Sequence, residues 1–208
     1  MFNEDILKST GASGVLRKGK GIQVVFGPRV SIIKANLDAY LDDISKQMVN
    51  GEPKADAKDI TVYAPLEGKV VTLKDVNDGV FSAGMLGEGL AIEPTVGKVV
   101  APFDGEVAMV YATKHAIAVR SNEGLELLIH VGLDTVQLNG ECYDIKVKDG
   151  QKVKKGDLLA EFDMAAIQAK GYRTITPMVI TNPDEFKGAH QISGAEVKFG
   201  DGLFTTKG

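Results

Sequence analysis

The sequence predicts a mainly β protein: an antiparallel β-sandwich or flattened barrel over residues 59–208, preceded by a short α/β fragment over residues 1–48. From residue 59 onward, short apolar runs alternate with Gly, Asn, Asp and Pro, which is typical of short strands joined by tight turns. A second observation is an internal repeat, in which Ala64-Pro65-Leu66-Glu67-Gly68-Lys69-Val70 recurs in similar form at residues 101–107. Because Pro belongs at a strand start or edge, each copy is interpreted as the entry to a hairpin, and the pair as two similar sheets packed together.

The N-terminal segment has a different pattern. Residues 22–26 predict a strand that ends at Gly27-Pro28, and residues 30–48 carry apolar side chains at helical spacing. Residues 49–58 are polar and have no periodicity, so they are predicted to be a linker between residues 1–48 and a domain over residues 59–208. Within that domain only residues 164–170 have a helical pattern.

Composition limits the function. The 208 residues are 44% hydrophobic and 25% charged, and the net charge of −4 is spread along the chain, so neither nucleic acid nor an anionic membrane is an expected partner. The single cysteine, Cys142, excludes a disulfide within the chain and any site with several cysteine ligands. The sequence shows no leader and no apolar run of membrane length, which favours a cytoplasmic location without direct membrane insertion.

Two histidines carry the candidate chemistry. Residues 125–129 have the pattern of a buried strand, and His130 then places an imidazole in this apolar run, followed by Gly132. His130 is therefore either a core residue or a nucleophile at the edge of an apolar surface. His115 alternates with Ile117 and Val119, and a turn near residues 121–124 would pair the two strands as a hairpin, which would bring both rings side by side.

Neighbouring imidazoles on an apolar surface suit two kinds of chemistry. Zinc binds neutral imidazole but needs further ligands, and the spacing matches no dense zinc motif, so no intrinsic metal is expected, although His115 and His130 could hold an adventitious zinc ion. Phosphoryl transfer through a phosphohistidine needs an unprotonated ring nitrogen, which an apolar setting favours. The second ring could then donate to the phosphoryl oxygens, with Thr113 orienting it. The sequence contains no phosphate-binding loop, and no cofactor is expected.

Three further residues could belong to the site or to its framework. Asp134 could tune the field around His130 or cap a turn. Cys142 is interpreted as structural, and His190 as a surface loop residue outside the site.

Residues 124–136 resemble the active-site signature of glucose-type enzyme IIA of the bacterial phosphoenolpyruvate-dependent sugar phosphotransferase system. The likeness extends from about residue 59 to the C-terminus and includes both Ala-Pro repeats. It also includes the following segments: Asp78-Gly79-Val80-Phe81, Gly87-Glu88-Gly89-Leu90-Ala91-Ile92, Thr113-Lys114-His115-Ala116, Gly150-Gln151-Lys152-Val153 and Gly156-Asp157.

The resemblance implies a β-sandwich and a phosphoryl carrier. His130 would accept a phosphoryl group at Nε2 from the phosphocarrier HPr, His115 would hydrogen bond to that group, and Thr113 would support His115. The group would then pass to a cysteine of a IIB domain, and from there to a sugar entering through a IIC membrane domain, so the chain would reach the membrane only through a IIBC partner. An apolar surface around His130 would dock both partners. Its residues would be Val80, Phe81, Met85, Leu86, Tyr111 and Val136.

The N-terminal segment also resembles a known domain. Residues 11–15 and 19–27 are similar to the last part of a glucose-type IIB domain, as in IICBA-type transporters. The IIB signature with its phosphorylated cysteine would precede these residues, and Cys142 lies in the IIA region and cannot replace it. Residues 1–48 are therefore expected to be a partial IIB-like fragment that carries no phosphate.

Three alternative functions share features with this sequence. The repeat and residues 150–159 also resemble biotinyl and lipoyl carrier domains, but Phe162-Asp163-Met164 is followed by two alanines rather than the modifiable lysine. A zinc peptidase with a similar sandwich needs a His-x-His pair, whereas residues 129–132 supply one histidine. The third alternative is a regulatory protein that binds targets through the same apolar face in a phosphorylation-dependent way, because a phosphate dianion would oppose such docking.

Overall fold

The computed structural model describes residues 59–192 and 194–207 in full, and residues 12–18 and 21–26 as backbone. The chain divides into two compact units, Met1–Lys54 and Ala55–Gly208, and the division falls within the segment predicted as a linker. In the first unit, β1 (Ala12–Lys18) and β2 (Gly21–Phe26) form an antiparallel hairpin, and β2 covers the strand predicted at residues 22–26. The predicted helix at 30–48 and the linker lie outside the described residues, and the assignment of residues 1–48 as a IIB-like fragment stays a prediction.

The second unit consists mostly of short strands. In chain order they are β3 (Ile60–Tyr63), β4 (Gly68–Thr72), β5 (Gly89–Pro94), β6 (Lys98–Val100), β7 (Gly105–Val110), β8 (Ala116–Ser121), β9 (Glu126–His130), β10 (Tyr143–Ile145), β11 (Lys152–Val153), β12 (Leu158–Phe162), β13 (Thr176–Ile180), β14 (Lys187–Gln191), β15 (Glu196–Val197) and β16 (Gly202–Lys207). The helices are α1 (Leu73–Val76), a 3-10 helix (Thr135–Leu138) and α2 (Met164–Ala169). None of the helices in the described part of the chain is long and apolar enough to span a membrane.

These strands form a sandwich, in agreement with the predicted fold class. The largest sheet has the order β11-β7-β8-β9-β13-β5-β4-β15, and two three-stranded sheets have the orders β10-β12-β6 and β14-β16-β3. Every pairing among the described strands is antiparallel, and the sheets do not close into a barrel. The main core lies between the large sheet and the small ones, because it joins Leu127 and Ile129 of β9 to Leu159 of β12 and Phe204 of β16.

The other face of the large sheet carries a second apolar cluster. Side chains alternate along each strand, so Ala91, Ala116, Leu128 and Val179 point away from the main core. α1 and the loop after it cover these residues with Leu73, Val76 and Phe81. Alanine on two of these strands leaves room for the covering segment, which packs directly on the sheet.

The repeated sequence corresponds to repeated structure. Ala64 donates to Asp201 O at 2.7 Å and accepts from Gly200 N at 3.1 Å, and Ala101 makes the same pair of bonds with Asp157 O at 2.8 Å and Gly156 N at 2.9 Å. Each copy leads into a hairpin, β4–β5 or β7–β8, as predicted. Both hairpins belong to the eight-stranded sheet, near its opposite edges, so the expectation that the copies mark two separate packed sheets is wrong.

The helices show where the sequence pattern was too short to be informative. The segment predicted as helical at residues 164–170 is α2, whose N-cap Asp163 accepts a hydrogen bond from Ala166 N. α1 and the 3-10 helix were not predicted. Each has four residues, which is too few to display a helical period.

The first prediction concerns the close backbone approach in the second repeat. A Cβ atom at Gly105 would lie 2.0 Å from Arg120 O, which is backbone and cannot move aside. Gly105→Ala should therefore lower the unfolding free energy of the Ala55–Gly208 unit by at least ~2 kcal/mol, as measured by urea denaturation. Gly194→Ala is the control, because nothing lies within 4 Å of a Cβ there. Equal stability of the two variants would show that the backbone at residue 105 can move away from Arg120 O without cost.

Candidate functional site

His130 is the last residue of β9 and lies on the face of the second apolar cluster. It pairs with Ala116 of β8, and its neighbour on the same face is Leu128. The ring is partly exposed, and the ring of Phe81 packs against it edge-on with a centroid separation of 5.1 Å. His130 is therefore neither fully buried in the core nor on an open polar surface.

The tautomer of His130 follows from its hydrogen bond. Nδ1 lies 2.8 Å from Gly132 O. Because a carbonyl oxygen only accepts, Nδ1 must carry the hydrogen, and the neutral ring then has its lone pair on Nε2. Burial lowers the pKa of His130, and this effect outweighs the opposing effects of the Gly132 carbonyl and the carboxylates of Asp78 and Asp134. The unprotonated ring is the form that can act as a nucleophile.

The turn after β9 fixes the position of that carbonyl. Gly132 has φ 82°, and a Cβ atom there would lie 2.5 Å from Thr135 Cγ2 and 2.9 Å from Arg173 O. Leu133 N donates to Arg173 O at 3.0 Å. Since this N–H belongs to the same peptide group as Gly132 C=O, the bond turns the carbonyl in the opposite direction, towards the ring of His130.

His115 lies next to His130, with ring centroids 4.6 Å apart and an interplanar angle of 79°. The strand alternation argued from sequence does not explain this placement. Ile117 and Val119 face the main core, and His115 precedes β8, in a turn where Lys114 has φ 57° and donates to Tyr111 O. Because His115 lies in this turn and not in β8, the alternation of the strand does not set the direction of its ring, which lies with that of His130.

The environment of His115 keeps it uncharged. The ring is buried, and Thr113 Oγ1 lies 2.7 Å from Nδ1. Burial, with a smaller contribution from the charge of His130, lowers the pKa of His115 to about 3. At neutral pH, His115 therefore presents one N–H and one lone pair, and the Thr113 hydroxyl can hold either tautomer.

Two carboxylates lie near His130. Asp134 is exposed, has φ 57°, and its side chain makes no capping hydrogen bond to the 3-10 helix, so the turn-capping alternative is not supported. Asp78 was not predicted as a site residue. Burial opposes its ionisation, but hydrogen bonds from Ser82, Phe81 and Val80 amides prevail and lower its pKa. The negative charges of both carboxylates raise the pKa of His130, in opposition to burial.

The residues predicted to form an apolar surface around the histidine differ in their exposure. Val80, Met85 and Leu86 are exposed at 44%, 54% and 43%, which makes them three of the four large exposed hydrophobic residues in the described part of the chain. Phe81 is only 4% exposed, because it fills the space between α1 and the sheet, so it supports the surface rather than presenting itself. Tyr111 and Val136 are partly exposed, and the ring of Tyr111 lies 5.7 Å from that of His115.

The remaining candidates lie apart from this arrangement. His190 is exposed in β14, so it belongs to a strand rather than the expected loop. Cys142 is partly buried against the main core with φ 71°. Among the described residues, no group of three His, Cys, Asp or Glu side chains is close enough to hold a metal ion.

The fold and the site together define a β-sandwich domain that presents a pair of uncharged imidazoles beside an apolar surface. Residues 60–186 match the family model for the phosphoenolpyruvate-dependent sugar phosphotransferase system, EIIA 1. The structure is similar to that of glucose permease IIA from Mycoplasma capricolum, with 36% identity and a TM-score of 0.67, over 71% of this chain and 96% of that one. The chain belongs to this EIIA family and is a phosphotransfer component of a sugar phosphotransferase system.

The second prediction concerns the dependence of stability on pH. The folded protein protonates His115 only near pH 3, whereas the unfolded chain does so near the ordinary value of 6.5. Between these values the unfolded state binds more protons, so His115 makes the unfolding free energy rise with pH by up to ~1.4 kcal/mol per unit. Urea denaturation of the wild type and of His115→Gln between pH 4 and pH 6 should show a shallower slope for the variant. Equal slopes would contradict the buried, uncharged state of His115.

Proposed function

We propose that the chain carries a phosphoryl group on Nε2 of His130, accepting it from phosphorylated HPr and delivering it to a cysteine of a IIB domain. The observation that carries this proposal is the hydrogen bond from Nδ1 to Gly132 O, which leaves the lone pair on Nε2. In the first step Nε2 attacks phosphorus as the bond from phosphorus to the donor histidine breaks. In the second step the cysteine thiolate attacks the same phosphorus and the His130 ring leaves.

The surroundings of His130 suit a ring that attacks phosphorus in the first step and leaves it in the second. Burial keeps the ring unprotonated, so the lone pair is available. When the phosphorus–nitrogen bond forms, positive charge develops on the ring, and the Gly132 carbonyl accepts from Nδ1–H while Asp78 and Asp134 lie nearby. The same groups therefore stabilise the charged ring of the intermediate without protonating the free one.

His115 serves the phosphoryl group rather than accepting it. If the Thr113 hydroxyl donates to Nδ1 of His115, the ring carries its hydrogen on Nε2, where it can donate to a phosphoryl oxygen. The ring centroids, 4.6 Å apart, are close enough for a group on His130 to reach it. Because His115 remains neutral, it supplies a hydrogen bond without a fixed charge that would trap the phosphoryl group.

The partners dock on the surface that surrounds His130. Val80, Met85 and Leu86 provide exposed apolar area beside the ring-supporting Phe81. Asp78 and Asp134 would attract a basic partner to this apolar area. The protein would act in the cytoplasm, and it would approach the membrane through a IIBC partner. Residues 1–48 would correspond to the last part of a IIB domain.

The third prediction tests the acceptor. His130→Gln should not be labelled by phosphoenolpyruvate, enzyme I and HPr, because the acceptor nitrogen is absent. Mass spectrometry of the intact protein under alkaline conditions measures the acid-labile phosphate. His190→Gln is the control, because it removes an exposed histidine in β14, apart from the site, and should leave labelling unchanged. Labelling of His130→Gln at the wild-type level would overturn the proposal.

The fourth prediction tests the helper. His115→Ala should still be labelled, because His130 remains, but it should deliver phosphate to a IIB domain at least ~100-fold more slowly, since the transition state loses a hydrogen-bond donor. Rapid quench of the phosphorylated variant mixed with a IIB domain measures the transfer rate alone. A rate within twofold of wild type would show that His115 does not assist the transfer.

A further inference from the structure

Two hydroxyl groups from different elements converge on one carbonyl beside His130. Thr135 Oγ1, at the start of the 3-10 helix, donates to Val131 O at 2.7 Å. Tyr143 Oη, from β10, donates to the same oxygen at 2.9 Å. Val131 N in turn donates to His115 O at 2.7 Å. The residue that follows His130 is thus held at both its N–H and its C=O.

These bonds fix the peptide group next to the one that holds His130. Val131 C=O shares a peptide plane with Gly132 N, and the next plane carries the Gly132 carbonyl that accepts from Nδ1 of His130. The bond from Leu133 N to Arg173 O restrains the plane of Gly132 O from one side, and the bonds to Val131 O restrain the preceding plane from the other. Gly132 has φ 82° and, without a side chain, does little to restrict rotation about its own backbone bonds. The restraint on this backbone must therefore come from hydrogen bonds to other residues.

The two donors are well suited to this role. Val131, Thr135 and Tyr143 are all buried, at 2%, 0% and 7% exposed, so water does not compete for the carbonyl. Burial raises the pKa of Tyr143 to about 12, which keeps its hydroxyl protonated and able to donate at any pH at which the protein functions. The Tyr143 ring also packs against Phe162, with centroids 6.5 Å apart, and this contact holds the hydroxyl in place.

We propose that Tyr143 and Thr135 are positioning residues for phosphoryl transfer, which hold the Val131 carbonyl so that the Gly132 carbonyl locks His130 in its Nδ1–H tautomer. This inference rests on the proposed function of His130, and it adds the residues that set its reactive nitrogen. Neither hydroxyl touches the ring. Their effect passes through the backbone, and it should therefore appear in the state of the ring and not only in stability.

The test uses paired variants of the full chain. Tyr143→Phe and Thr135→Val each remove one hydroxyl while preserving shape, and the double variant removes both donors. Thr135→Ser keeps the hydroxyl and should restore wild-type behaviour. Tyr63→Phe, in β3 of the other small sheet, is the control for loss of a tyrosine hydroxyl elsewhere. Two quantities are measured: the His130 tautomer from ¹⁵N ring chemical shifts without any phosphate donor, and the initial rate of labelling by phosphorylated HPr.

We expect each single variant to lower the rate a few-fold and the double variant to lower it by more than the product of the two, at least ~30-fold, because the donors share one acceptor. The share of the Nδ1–H tautomer should fall in the same order. Unchanged ¹⁵N shifts in the single variants, even with lowered melting temperatures, would overturn the inference and leave a structural role. If wild type shows the Nδ1–H tautomer but His130 takes up no phosphate, the proposed function fails and the positioning result still stands.

Discussion

The hydrogen bond from His130 Nδ1 to the Gly132 carbonyl is the interaction on which the site depends. It decides which nitrogen of a neutral ring carries the lone pair, and the local structure is arranged around it. Glycine is required at position 132 because a Cβ would collide with Thr135 and Arg173 O. Burial lowers the pKa of His130 and keeps the ring uncharged, while the carboxylates of Asp78 and Asp134 act in the opposite direction. A neutral ring with its lone pair on Nε2 is the form that can attack a phosphoryl group.

The fold contains the same backbone arrangement twice, and one of the two copies carries the pair of histidines. Val131 N bonds to His115 O at 2.7 Å where β8 meets β9, and Ile180 N bonds to Glu88 O at 2.8 Å where β5 meets β13. The position that corresponds to His130 in the second pair is Val179, which pairs with Gly89 as His130 pairs with Ala116. Val179 is buried under the segment between β4 and β5, which also supplies Phe81 to His130. The segment between β4 and β5 thus covers Val179 and also contacts the ring of His130.

The sequence predicted the elements that have a periodic apolar pattern of several residues or a clear turn sequence. The sandwich, the hairpins after each Ala-Pro repeat and helix α2 followed from such patterns. The arrangement of the repeats in one sheet did not, because the pattern records which strands form and not which sheet they join. The ring of His115 reaches that of His130 from the turn before β8, where strand alternation does not apply. Asp78, Thr135 and Tyr143 could not be linked to the site from the sequence, because no local pattern encodes their contacts with the residues around His130.

The measurement that tests this account most directly is the position of the phosphorus–nitrogen bond in the phosphorylated protein. Two-dimensional ³¹P–¹⁵N or ¹H–¹⁵N NMR on protein labelled in its histidine rings distinguishes a phosphoryl group on Nε2 from one on Nδ1. Because Gly132 O occupies Nδ1, the account predicts a single species bonded at Nε2 of His130, with Nδ1 still carrying its hydrogen. Phosphate on Nδ1 of His130, or on His115, would contradict it.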